Sequence, residues 1–339
     1  MPGPDPRLEP ELLAAAQRGD TAAFDRLLAP HRRALYAHCY RMLGSLQDAE
    51  DALQEALLGA WKGLAPFAGR SSLRSWLYKI TSHACLRLLA QRPRRILSPE
   101  HGPARSDVFE LGQPVVDPIW LEPWVDSEPA DPSADPAASA LQRESLELAF
   151  VAALQHLPGP QRAALLLAEV LEFSAAEIAE QLESSVPAVN SALQRARKTL
   201  AERGPIRSQQ AELSSLQAAD QRALVDDFLR AWHGQDLSAL LSLLTEDVRF
   251  IMPPLPAWFD GRHDVGRFFG ERVFAMPWRL VPLRVNHQLG FACYSQPPGT
   301  SGLRLSAVNL LCLRAGKIAE IDAFLDSQLL GRLGLPAAP

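Results

Sequence analysis

Near the middle of the chain, Asn190, Ser191, Gln194, Arg195, Arg197 and Lys198 recur at helical spacing opposite an apolar stripe of Val186, Val189, Leu193, Ala196 and Leu200. Asn and Gln amides pair bidentately with adenine and Arg with guanine, while cations toward a helix end neutralise phosphates. This set of side chains therefore suits the reading of bases and phosphates. The same stripe is also what an amphipathic core helix with a solvated charged face displays.

Two short helices and a turn must position those residues. Ser174 and Glu177 form a capping box ahead of Ile178, Ala179 and Leu182, and Ser185 caps the second helix, with Pro187 in its first turn. Small Ala179 lets the helices cross closely. Glu183 stands in the turn where helix-turn-helix units often use glycine.

A second cluster mixes aromatics with cations. Ser71 to Ile80 carries Trp76 and Tyr78 beside Arg74 and Lys79, followed by Arg87, Arg92, Arg94 and Arg95. Stacking surfaces beside cations suit an unpaired DNA strand, although aromatics at this spacing also serve as core.

The formal charge of −5, from 34 basic and 39 acidic residues, argues at first against a nucleic-acid partner. Between Glu100 and Asp135, however, nine acids face one base, Arg105, so the rest of the chain is positive by three. Eight prolines between Ser98 and Pro136 join that acidic run, a composition expected of a linker. Trp120 and Trp124, with Ile119 and Leu121, are too apolar for a tether in water and are expected to dock on a neighbouring surface. No run approaches a membrane span and no leader is evident at the start, so a cytoplasmic protein is expected. Cys39, Cys85, Cys293 and Cys312 lack metal-ligand spacing, so buried thiols and no metal are expected.

From Pro10 to Arg92 the period is helical, with starts marked by Asp20, by Ser45 with Asp48, and by Ser71-Ser72 after the Pro66 and Gly69 break. The helical period returns from Ala140 to Leu200. After Ala218, helices at Ala223 to Trp232 and Leu237 to Leu244 precede strands expected at Val248 to Met252, Arg279 to Asn286, Leu303 to Arg314 and Lys317 to Phe324. Helices before strands predict a third domain of α+β class.

Arg41 to Glu55, Trp61 and Phe67 to Tyr78 together resemble region 2 of the extracytoplasmic-function sigma factors of bacterial RNA polymerase, and the helix-turn-helix resembles their region 4. Trp120 to Trp124, Ser191 to Arg197 and Met252 to Trp258 resemble the SigG-like subgroup, which carries an additional C-terminal SnoaL-like domain. The resemblance implies two all-α helical domains plus an α+β SnoaL/NTF2-like cone, divided as 8–97, a linker at 98–138, 139–204, a second linker at 205–217, and 218–337. It implies a promoter-specificity subunit that needs no cofactor and does no catalysis, and whose partners are core polymerase and promoter DNA. An anti-sigma factor or a small ligand of the cone would be a further partner. Asp48, Glu50, Asp51, Gln54 and Glu55 would meet the β′ clamp helices. Arg70, Ser71, Ser72, Arg74, Trp76, Lys79 and His83 would face the minus-10 element. Ser185, Ala188, Asn190, Ser191, Gln194, Arg195, Arg197 and Lys198 would face the minus-35 element. His83 and Arg87 stand where many members have an asparagine and an acid. The acidic linker would mimic nucleic-acid charge in the polymerase channel.

In the last domain His263, Asp264, His287 and Asp322 are the candidates for acid-base chemistry, and no pair has a diagnostic spacing. His263 and Asp264 are expected to cap a helix beginning near Val265. Trp232, Trp258, Phe259, His263 and Phe324 are the candidates for lining a pocket, with core packing the alternative for the aromatics. A different class of function follows from that pocket: an enzyme or ligand sensor fused to a DNA-binding module. The cone is otherwise expected to regulate the other two domains in cis.

Overall fold

A computed structural model describes residues 9–117, 119–126, 143–204, 207–296 and 302–339. Residues 118 and 127–138 of the first expected linker, 139–142 of the domain expected after it, and 205–206 of the second linker lie outside the described residues. The chain divides into two compact units, one of residues 1–94 and 153–204 and the other of residues 95–152 and 205–339.

The first unit is helical. Helices α1 (Glu9–Gln17), α2 (Thr21–Leu43), α3 (Leu46–Gly63) and α4 (Leu73–Leu89) form a bundle. Three starts follow from caps visible in the sequence: Asp20 accepts from Ala22 and Ala23, Ser45 from Asp48 and Ser72 from Ser75. Gly44 ends α2 with φ of 68°, a left-handed value that glycine adopts without strain.

The second unit begins at Arg95 and includes α5 (Ser98–His101); α6 (Leu148–Leu154) lies at the boundary, with Leu148 to Ala152 in this unit. In the first unit, α7 (Gly159–Leu165) continues into a π-helical turn at Leu166–Val170, followed by α8 (Ala175–Gln181) and α9 (Val186–Arg203). The Ser174–Glu177 capping box forms reciprocally, and Ser185 caps α9 through the Ala188 N–H.

The C-terminal part consists of α10 (Gln209–Ser215), α11 (Ala218–His233), α12 (Leu237–Ser242), β1 (Leu244–Ile251), β2 (Trp258–Asp260), α13 (Gly261–Phe268), β3 (Trp278–Val285), β4 (Gln288–Ser295), β5 (Arg304–Arg314), β6 (Lys317–Phe324) and α14 (Ser327–Arg332). The sheet order is β2-β1-β6-β5-β4-β3, with β1 and β6 parallel and the other neighbours antiparallel. One face packs against Phe228 and Trp232 of α11 and Phe268 of α13. Strand β4 escapes the sequence pattern because every residue from Gln288 to Ser295 is buried, which erases the alternation that marks a half-exposed strand. Another difference is at α13, which begins at Gly261, so His263 and Asp264 lie inside the helix and do not cap it.

The acidic stretch from Ser98 to Asp126, read as a linker whose tryptophans dock on a neighbouring surface, belongs to the same compact unit as the C-terminal domain. Val108 enters the core of the cone and is fully buried. Trp120, Leu121 and Trp124 are also buried, and Trp120 donates its indole N–H to Val115 O at 3.0 Å. The fastening point is Asn286, in the β3–β4 turn, where Asn286 and His287 both have positive φ, as a two-residue I′ hairpin requires. Asn286 Oδ1 accepts from the Trp124 N–H at 2.9 Å, and Nδ2 donates to Leu146 O at 2.7 Å. One buried side chain thus holds both flanks of residues 127–142.

The stretch before α11 is fastened in the same way. Glu147 accepts from the N–H groups of Gln209 at 2.8 Å and Gln210 at 2.7 Å, capping α10 from a distant segment. Burial pushes its carboxyl up to about 7 against the pull of these two N–H groups, and the Glu144 charge adds to the rise. A carboxyl that holds its proton more tightly when folded loses stability as pH climbs from its unfolded value through its folded one. Between about pH 5 and 7, therefore, the melting temperature of the native chain should fall relative to that of Glu147→Gln. Parallel melting-temperature profiles for the two proteins would contradict this role.

Candidate nucleic-acid interface

Helix α9 presents its polar face outward. Ser185, Ala188, Asn190, Ser191, Gln194, Arg195, Arg197 and Lys198 are all exposed, while Val189, Leu193 and Ala196 are buried against the rest of the unit. Arg197 is drawn to Glu169, its Nε donating to Oε1 at 3.0 Å. The other polar residues project from a capped helix whose apolar stripe fixes its rotation, the arrangement needed for a helix to lie in a major groove.

On α3 the residues expected at the clamp divide. Glu50, Asp51, Gln54 and Glu55 are exposed, with Glu55 paired to Arg87 at 2.7 Å. Asp48 is buried in the first turn of α3, where its carboxylate lies 3.7 Å from Arg92 and outside the open acidic face. Leu58, 61% exposed and at helical spacing from Asp51, Gln54 and Glu55, adds an apolar member that charge-based reasoning missed.

The residues expected at the minus-10 element also divide. Arg70 and Ser71 lie in the loop before α4, Ser72 caps that helix, and Trp76 is half-buried against Phe67 with ring centroids 4.8 Å apart. Arg74, Lys79 and His83 instead meet the loops around α8. Arg74 donates to Leu171 O at 2.8 Å and lies over the Phe173 ring at 4.6 Å. Lys79 pairs with Glu183 at 3.3 Å, and a His83 ring nitrogen lies 2.9 Å from Gln181 O. None of these partners had a local signal in the sequence, since each contact spans about 90 or more residues.

The structure does not bring the proposed pocket residues together. Trp232 and Phe259 belong to the packed core of the cone, whereas Trp258 is half-buried at its edge and donates to Gly102 O at 2.8 Å. His263 is exposed and lies 2.9 Å from its neighbour Asp264. Phe324 lies outside that core cluster; it has the same alternation phase as Asp322, opposite to Ile321 and Ala323, and so points from the other face of the sheet. Val108 and the aromatic side chains Phe228, Phe268 and Phe269 belong to the same buried cluster as Trp232 and Phe259. An open groove of about 440 Å³ lies elsewhere, between α11 and strands β3–β4, lined by Gln221, Arg222, Val225, Leu283 and Arg284 among others.

The acid-base candidates are equally scattered. His287 pairs with Asp126 at 3.1 Å, and Asp322 is fully buried. Among the described residues, Cys312, Glu320 and Asp322 bring three ligand-type atoms within 4.8 Å of one another. Arg249 already neutralises Glu320, and burial, followed by the Glu320 charge, pushes Asp322 well above the usual carboxylate range. No hydrogen bond or ion pair joins His263, His287 and Asp322 to one another among the described residues. No described helix is long and apolar enough to cross a membrane.

Comparison with known proteins fits this geometry. Residues 27–95 match the Sigma-70 region 2 family, 147–200 match Sigma-70 region 4, and 225–321 match the SnoaL-like domain. The ECF RNA polymerase sigma factor SigG of Mycobacterium tuberculosis is 39% identical over 336 residues, covering 95% of this chain and 86% of that protein. SigM of the same organism is 31% identical over 195 residues, covering 58% of this chain and 84% of its own length. The crystal structure of M. tuberculosis SigJ shares the fold, with a TM-score of 0.59 at 23% identity over 90% of this chain and 97% of that one. With both sigma regions matched in order and one relative aligned along nearly the whole length, the chain belongs to the ECF RNA polymerase sigma factors.

Proposed function

We propose that this sigma factor binds core polymerase through the exposed α3 face of Glu50, Asp51, Gln54, Glu55 and Leu58, reads the minus-35 element with α9, and opens the minus-10 element with α4 and the loop before it. It acts in the cytoplasm as a specificity subunit and does no catalysis of its own. The observation that carries this reading is the outward polar face of α9, where Asn190, Gln194 and Arg195 project from a rigid helix. Replacing any one of the three by alanine should cost about 1–3 kcal/mol per lost base pairing and relax preference at one promoter position. Lys198→Ala should weaken all sequences alike and reduce the salt slope by about one. Binding of the four variants to a minus-35 library separates the two behaviours; uniform loss in all four would remove base reading from this helix.

The C-terminal domain acts in cis in this account. It holds the stretch from Ser98 to Asp126 and the first residues of the region 4 match, 147–152, so it governs the segment that joins the two polymerase-facing regions. Ending the chain near Arg207 would therefore uncover Trp120, Trp124 and Val108 as well as remove the domain. Point variants at Asn286 and Trp124 are the cleaner probes of its role.

A further inference from the structure

Two loops flank α8, and each carries a glutamate in the left-handed backbone region, Glu172 with φ of 59° and Glu183 with φ of 52°. A side chain with a Cβ is strained there, and such strain persists where surrounding contacts hold it. Both loops lie against α4. Arg74 reaches Leu171 O at 2.8 Å, Lys79 lies 3.5 Å from Glu180 O and 3.3 Å from the Glu183 carboxylate, and a His83 ring nitrogen is 2.9 Å from Gln181 O. Beneath them the buried Gln181 amide donates to Ser75 Oγ at 3.0 Å. Arg74, Lys79 and His83 thus face a row of three carbonyl oxygens and one carboxylate. Two of those carbonyls, Glu180 and Gln181, belong to the last turn of α8, the negative end of its dipole.

We infer that the helix-turn-helix of region 4 occupies the cations of α4 in place of a nucleic-acid strand, with Glu183 as the latch, so that turn and DNA compete for the same side chains. The inference rests on the reading of α4 as a DNA-facing helix. It also accounts for a glutamate where a glycine would relieve the backbone: glycine could make the turn but could not hold Lys79.

The test uses the full chain carrying a fluorophore pair on exposed Lys62 and Glu202, with a labelled oligothymidylate of about 20 nucleotides as the probe. Glu183→Gln should broaden the distance between the labels and tighten oligonucleotide binding about two- to fivefold at low salt, the range expected for release of one exposed ion pair. Glu183→Gly, which relieves the left-handed strain and so favours folding, should do the same. In a Lys79→Ala background the gain from Glu183→Gln should vanish. An unchanged label distance and affinity in both Glu183 variants would overturn the latch, and an equal gain with and without Lys79 would reduce it to general charge. Opening with no gain in oligonucleotide binding would leave the closure standing but overturn the masking, because α4 would then not be a nucleic-acid face.

Discussion

Trp124→Ala should destabilise the C-terminal unit by about 3–5 kcal/mol, the range for removing a buried tryptophan side chain. Trp124 is 7% exposed, and its backbone is fixed on both sides by Asn286, whose side chain accepts from the Trp124 N–H and whose N–H donates to Trp124 O at 2.6 Å. At about 2–4 °C per kcal/mol for a unit of this size, the loss is visible in a thermal melt. Asn286→Gly is the companion variant. Glycine keeps the left-handed turn, so destabilisation beyond the roughly 1 kcal/mol backbone-entropy cost of glycine reports the two lost side-chain bonds to Trp124 and Leu146. If Trp124→Ala melted like the native chain, the stretch from Ser98 to Asp126 would be the tether its composition suggests.

Arg162→Met should cost the helical unit about 3–5 kcal/mol, because a buried guanidinium serving several backbone acceptors is replaced by a side chain that serves none. Arg162 is 3% exposed and donates to Met42 O at the end of α2, to Gln155 Oε1 at 2.8 Å, to Gln155 O at 3.1 Å and to Leu157 O at 3.0 Å. Burial lowers its pKa to about 10, which leaves it charged at neutral pH. Because one side chain ties the start of region 4 to the end of α2, the variant should also loosen the closed arrangement of the two regions. Denaturant unfolding measures the first effect, and an unchanged midpoint would show that the link is dispensable.

Local chemistry was legible in the sequence and distant pairing was not. Asp20, Ser45, Ser72, Ser174 and Ser185 each cap the helix that follows within a few residues, so a local pattern was sufficient to find them. Strand β6 was legible because its start is set by the adjacent Ala315-Gly316 turn, whereas β4 was hidden by burial on both faces. Composition identified the acidic stretch, and Trp120, Leu121 and Trp124 marked it as one that docks, but nothing local showed which surface they meet or that Val108 joins the core. Asn286 and Glu147 gave no local signal, since their partners are fixed only once the sheet exists. Asp48 looked like its exposed neighbours because the capped first turn, which turns it inward toward Arg92, rotates one acid of the run away from the others.

Run-off transcription with purified core polymerase bears most directly on the central assignment. A template library randomised at the minus-35 and minus-10 positions should yield promoter-specific transcripts only when the full chain is added. Asp51→Arg with Gln54→Ala should abolish most of that product together with co-purification on core polymerase, while leaving the melting temperature unchanged. Full transcription by the folded double variant would contradict the α3 face as the polymerase contact, and no promoter-specific product with the native chain would contradict the account as a whole.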